Sequence, residues 1–221
     1  MPDSLTSVAR EIAECRACPR LVAWREQVAA EKRASFRDWE YWGRPVPGFG
    51  DPESKVLVIG LAPAAHGGNR TGRVFTGDNS GDWLYGAMHR AGLASQPTSV
   101  HKEDGLTLTG AYVCAAVRCA PPENKPLPDE RDRCQPFLTR EIALLPAARV
   151  VVPLGAYALD AVSRQWGVRP KLAFGHGREH ALPDGRLVVC SYHPSQHNTF
   201  TGRLTKEMFD AVFRRAVELA G

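Results

Sequence analysis

Residues 55–82 read KVLVIGLAPAAHGGNRTGRVFTGDNSGD: a near-continuous apolar run, a loop of small, polar and glycine residues, then turn chemistry that opens a helix. An apolar run without alternation marks a strand covered on both faces. The pattern returns at AYVCAAV (111–117), RVVVPLG (149–155) and RLVVCSYH (186–193). Helical periodicity lies between these runs, around 82–91, 129–145 and 156–166, and again at 5–15 and 204–219. Strands alternating with helices predict an α/β fold, a three-layer α/β/α sandwich with a four-stranded parallel central sheet. The Gly-, Pro- and aromatic-rich segment 41–54, YWGRPVPGFGDPES, reads as an ordered lead-in. No internal repeat or low-complexity stretch interrupts the chain, so residues 1–221 are expected to form one domain.

Charge narrows the function only a little. Lysine and arginine number 28 against 24 acidic residues, a formal charge of +4 spread along the chain in RTGR (70–73), DERDR (129–133) and GRLTKEM (202–208). Such a balance permits a polyanionic partner without requiring one. There is no apolar run of about 18 residues and no charged-then-apolar leader, so the expectation is a cytoplasmic protein with no membrane partner.

Six cysteines in such a chain argue against a disulfide framework. Cys15 and Cys18 have C-x-x-C spacing, and Cys119 and Cys134 offer two more thiolates. Four such groups suit zinc or an iron–sulfur cluster, and spacing does not choose between them. A C-x-x-C pair can also be redox-active, although no strand precedes it here. Cys114 and Cys190, inside apolar runs, read as small buried hydrophobes.

Ligands of parallel α/β sheets bind beyond the carboxyl ends of the strands. The segments there are APAAHGGNRTGRVFTGDNSG (62–81), RCAPPENKP (118–126), GAY (155–157) and HPSQHNTFTGR (193–203), three of them crowded with polar side chains, Gly and Pro. These segments, together with CRACPRLVAWR (15–25) and RPVPGFGDP (44–52), resemble the family 5, or type B, uracil-DNA glycosylases, an iron–sulfur branch of the uracil-DNA glycosylase superfamily. The resemblance runs from about Cys15 to Met208. It implies a [4Fe–4S] cluster on Cys15, Cys18, Cys119 and Cys134, which would tie the N-terminal helix to the loop after the second strand. It also implies a monomeric, nucleoid-associated repair enzyme that flips uracil out of double-stranded DNA and hydrolyses its N-glycosidic bond, initiating base excision repair. Hypoxanthine and xanthine are further implied substrates. Relatives of type A carry a carboxylate after the first motif's opening glycine and an asparagine in the second strand. Leu61 and Ala115 stand there in this chain, and Ala64 replaces a glycine, which reshapes the base pocket.

Breaking such a bond builds positive charge on the sugar and negative charge on the departing base. Asp78 in FTGD is good N-cap chemistry and, by the resemblance, the carboxylate that activates water and stabilises the sugar cation. His193, at the end of the last apolar run, is expected to donate a neutral imidazole N–H to the base as its charge develops. Phe75 is either core or the ring that stacks on the extruded base. Asn124 offers an amide for a base edge, or is simply a turn residue. Ala64 and His66 are expected to line the base pocket. Arg70, Gln196 and Asn198, with His197, Thr199, Thr201 and Arg203, are expected on DNA phosphates or the minor groove, or else form a solvated loop.

Two other readings remain open at this point. One is a catalytically inactive iron–sulfur DNA-binding protein, favoured by Leu61 and Ala115; the other is a zinc-stabilised hydrolase of small molecules, favoured by the loop histidines. No G-x-S-x-G or GxxxxGK[ST] motif supports a serine hydrolase or a phosphate-binding loop.

Overall fold

In the computed structural model, which describes residues 3–221, strand β2 (Val56–Gly60) is buried along its whole length. Its side chains alternate between two layers. Val56 and Val58 pack with Leu84, Met88, Phe209 and Phe213, whereas Leu57 and Ile59 pack with Leu138, Ile142, Leu159 and Val162. The first set belongs to helices α4 (Asn79–Arg90) and α8 (Lys206–Ala220), the second to α5 (Pro128–Ala143) and α6 (Ala156–Gln165). Period-two alternation with apolar residues on both sides generates the three-layer α/β/α arrangement directly.

The sheet is larger than expected. Its order is β1-β3-β2-β4-β6-β5, with β1 at Phe49–Gly50, β3 at Ala111–Ala115, β4 at Val150–Pro153, β5 at Glu179–Ala181 and β6 at Leu187–Val189. The four expected strands form the parallel centre, and β1 and β5 add antiparallel edges, making a mixed six-stranded sheet. Two- and three-residue edge strands are too short to carry a period, and β5 is mostly exposed, so neither leaves an apolar signature.

Helix α1 spans Leu5–Glu14 and a second helix, α2, spans Pro19–Glu31, with Pro19 at a first-turn position that needs no N–H. The sequence reading had no helix over 19–31. Its inward stripe is Leu21, Arg25 and Val28, at helical spacing, and the charge in the middle breaks the apolar pattern. Two short helices complete the chain, α3 (Gly68–Thr71) and α7 (Gln196–Phe200). Among the described residues no helix is long and apolar enough to cross a membrane.

Candidate active site

From the central β2 the chain steps to β3 on one side and to β4 on the other, so the loops after β2 and β4 diverge. A cavity of about 740 Å³ opens at that carboxyl edge, where open α/β sheets place their ligands. Its wall combines Leu61 to Gly67 after β2, Phe75 to Ser80 leading into α4, Asn124 after β3, and His193 to His197 after β6. Of the residues expected in a site, Ala64, His66, Phe75, Asp78, Asn124, His193 and Gln196 line it.

Asp78 is the N-cap of α4, where its Oδ1 accepts the Gly81 N–H at 3.0 Å. The cap is therefore real, and it also aims the second oxygen. Oδ2 lies against the backbone of Gly67, where a Cβ would stand only 2.0 Å away. Burial pushes the Asp78 carboxyl above its ordinary range, against the opposing pull of the Gly81 and Ser80 N–H groups and of the more distant Arg70. Asp78 is thus a partly buried carboxylate at the cavity wall, held by its cap hydrogen bond.

His193 follows β6, and its carbonyl accepts the Asn198 amide at 2.8 Å. Burial lowers its imidazole to about 4, so the ring is neutral at physiological pH and can act as an uncharged donor. Phe75 lies beside it, with ring centroids 5.8 Å apart and planes tilted by 36°. The Phe75 backbone has φ of +50°, uncommon for a residue with a side chain. Its ring passes so close to Gly60 that a Cβ there would meet it at 2.6 Å. A strained aromatic residue at the pocket floor is one that the surrounding structure fixes in place.

His66 shares a 3.0 Å hydrogen bond between its Nδ1 and the buried Tyr41 hydroxyl. Burial and the nearby Arg33 and Arg70 lower its pKa. Asn124 is exposed at the rim with φ of +56°. Gln196 and His197 are exposed on α7 at the opposite rim.

Two residues lie elsewhere than expected. Arg70 is turned inward. It is buried, packed against the rings of Phe36 and Trp39, and donates to the carbonyls of His66 and Gly77, both at 2.8 Å. Asn198 turns its amide onto the His193 carbonyl rather than outward. Asn198 and Arg70 both spend their donors on backbone carbonyls, a use that a polar loop residue offers as readily as contact with a ligand.

Other parts of the site give little signal in the sequence. Arg33 and Phe36, from a short 3₁₀ turn, form one cavity wall. Arg73 joins Asp104 at 2.8 Å and also donates to Thr76 and Ser99, bracing the segment just before Asp78. Phe200 ends α7 with 76% of its surface exposed. Its position in the polar HPSQHNTF run, next to cavity-lining residues, was the available cue.

The cysteines fall into two sets. Cys114 and Cys190 are buried within the sheet's core. Cys18, Cys119 and Cys134 form a separate buried group with Leu21 and Val117, and the half-buried Cys15 caps the end of α1. Each of the four thiols lies within electrostatic reach of at least two others. Among the described residues, no three His, Cys, Asp or Glu side chains converge as a single ion requires. Four thiols in one neighbourhood have the number and chemistry that a four-iron cluster uses.

The fold and this cavity define a base-excision scaffold, and the pattern of the uracil DNA glycosylase superfamily matches residues 47–216. The chain belongs to that superfamily. Within it, the type-5 uracil-DNA glycosylase of Thermus thermophilus is 56% identical over 208 residues, 94% of each chain. The type-5 enzyme of Mycobacterium tuberculosis is 54% identical over 213 residues, 95% of this chain and 80% of its own length. A type-4 enzyme from Thermotoga maritima is more distant, at 29% over 151 residues, 68% of this chain and 69% of its own.

Proposed function

We propose that this protein is a monofunctional uracil-DNA glycosylase, acting as one domain and as a monomer on the DNA of the cytoplasmic nucleoid. The observation that carries this reading is a partly buried carboxylate and a neutral imidazole facing one cavity, with a fixed aromatic ring beside the imidazole. Asp78 draws a proton from water and its charge steadies the cationic sugar; His193 donates its N–H to the base oxygen as the anion forms. Phe75 replaces the stacking that a flipped base loses. Asn124, Ala64 and His66 border the base, and Gln196 on α7 meets the DNA at the rim. A cavity of about 740 Å³ has room for a purine, which supports hypoxanthine and xanthine as further substrates.

Cys15, Cys18, Cys119 and Cys134 would hold a [4Fe–4S] cluster. When bound, it supplies a cross-link between the N-terminal helices, the loop after β3 and α5, and no step of the hydrolysis passes through it. Support comes from Arg25, a buried guanidinium that donates to the Cys119 sulfur at 3.0 Å with its Nε otherwise unpartnered. Such a group calls for negative charge beside it. Purified protein should contain about four irons and matching sulfide per chain; zinc in a colourless protein would overturn this assignment.

The decisive test compares leaving groups. His193→Ala should slow uracil release by ~10²-fold or more, the scale of a lost oxyanion donor. It should slow release of 5-fluorouracil much less, because that anion needs less help. Equal losses for both bases under single-turnover conditions would reduce His193 to a structural role. Base release no faster than in buffer from the unsubstituted protein would favour an inactive DNA-binding protein instead.

A further inference from the structure

Five arginines have less than a tenth of their surface exposed: Arg25, Arg70, Arg73, Arg118 and Arg131. Three of them meet carboxylates, Arg73 with Asp104, Arg118 with Glu141 and Arg131 with Asp160. Arg70 packs against two aromatic rings and donates to two carbonyls. Arg25 has neither a carboxylate nor an aromatic face. It is 2% exposed, its Nη1 donates to Cys119 Sγ at 3.0 Å, its Nη2 to the Cys15 carbonyl at 3.2 Å, and its Nε has no partner. Among the described residues it forms no ion pair.

Its place in the chain explains the reach. Arg25 lies two turns into α2, whose N-cap is Cys18, and helical side chains lean toward the helix N-terminus. A long side chain at this position is directed back over the cysteines. It also borders a second cavity of about 460 Å³, shared with Arg16, Glu26, Tyr41 and Trp42. The guanidinium therefore stands between the thiols and a space open to solvent.

We infer that Arg25 is the internal counter-charge of the four-cysteine centre: it holds the Cys119 sulfur by a charged hydrogen bond, stabilises the cluster's reduced form and shields the cluster from oxidative loss. This inference rests on the [4Fe–4S] reading above. Four thiolates outweigh the charge of the oxidised iron–sulfur core, and each added electron makes the centre more anionic. A fixed cation beside one sulfur favours the more anionic form, and hydrogen bonds to sulfur tune cluster potentials in the same direction. Arg25 touches no substrate in this scheme and acts only through the centre.

The experiment uses whole protein purified without oxygen, with iron and sulfide measured first. Arg25→Met removes charge and hydrogen bond; Arg25→Gln keeps donors without charge; Arg25→Lys keeps charge without the fork. Redox titration of the visible absorbance should show the methionine variant's potential lowered, on the order of a tenfold shift in oxidised-to-reduced ratio, about 59 mV for one electron. The glutamine variant should show most of that shift and the lysine variant little of it. In air, bleaching of the methionine variant should be faster by about the same tenfold factor. A wild-type protein without iron and sulfide would overturn the cluster reading itself. A cluster present in all four proteins with equal potentials and bleaching rates would overturn the role of Arg25 and leave the cluster standing. Should the methionine variant fail to assemble, the glutamine and lysine variants decide: equal potentials there reject the charge argument.

Discussion

Gly67→Ala tests the geometry of the reaction without removing any reacting group. A Cβ at this position would lie 2.0 Å from Asp78 Oδ2 and 2.8 Å from its Cγ, against an ordinary contact of 3.4 Å or more. Ala64 closes in from the side, with its Cβ 3.2 Å from the added methyl. The carboxylate must therefore retreat by more than an ångström. It cannot do so freely, because its other oxygen caps α4 through Gly81. A displacement of this size costs ~10²-fold where a reacting group must be aligned. Loss of the cap costs about 1 kcal/mol, which lowers the melting temperature of a chain this long by about 2–4 °C. Single-turnover release of uracil, with enzyme saturating, isolates the chemical step. The decisive comparison is a double-mutant cycle with Asp78→Ala. If Gly67 acts only by giving Asp78 its position, the alanine at 67 should have no further effect once the carboxylate is gone. Turnover of Gly67→Ala near that of the wild type, or an equal slowing in both backgrounds, would refute the reasoning.

Further expectations follow from the same groups. Asp78→Asn keeps the capping ability but not the charge, so the rate should fall ~10²-fold or more while stability at neutral pH holds or rises, since a buried carboxyl with a raised pKa weighs against folding once ionised. Uracil release by the wild type should climb with pH through an acid limb above the ordinary carboxylate range, and Asp78→Asn should abolish that limb. The lowered pKa of His193 means that between pH 6.5 and about 4 the unfolded chain binds a proton that the folded chain refuses; stability should drop across that window on acidification, by roughly 3 kcal/mol, and urea titrations of His193→Asn should show a shallower drop. Phe200→Ala should leave the melting temperature unchanged, because the ring is 76% exposed, yet slow excision from duplex DNA more than from single strands, where no stack has to be opened. Cys18→Ser should bleach the protein and lower its stability, whereas Cys114→Ser should leave its colour intact.

The central architecture was legible because its forces act locally. Each inner strand is short, apolar and covered on both sides, so β2, β3, β4 and β6 announce themselves without reference to the rest of the chain. The two edge strands and α2 do not. Pairing at the edges depends on backbone hydrogen bonds that leave no apolar period, between Phe49 and the distant Val113 and between Glu179 and the nearby Val189. Helix α2 owes its inward face partly to Arg25, whose burial makes sense only beside cysteines from three other segments. The same contrast runs through the site. Asp78 and His193 could be picked out because turn chemistry and a strand end place them at the carboxyl edge. The inward turn of Arg70 depends on Phe36 and Trp39, more than thirty residues earlier, and no local pattern encodes that meeting.

Arg70 shows how the site reconciles two opposed needs. A carboxylate works best on a developing sugar cation when water is scarce, yet scarcity of water is what makes the charged form costly. A cation paired directly with Asp78 would remove that cost and with it much of the carboxylate's pull on the substrate. The protein instead places its nearest buried cation one step back. Arg70 donates to the carbonyls of His66 and Gly77, the two ends of the loop, so it locks the segment that presents Asp78 while leaving the carboxylate itself unpaired. Its own charge is met by the faces of Phe36 and Trp39, 3.9 and 4.0 Å away, and not by an acid. Arg73, by contrast, has its charge met by an acid, Asp104, while it donates to Thr76. Rigidity at Asp78 thus comes from neighbours that carry charge but direct it elsewhere, and Asp78, the one acid lining the cavity among the described residues, is left free to act on the proposed substrate.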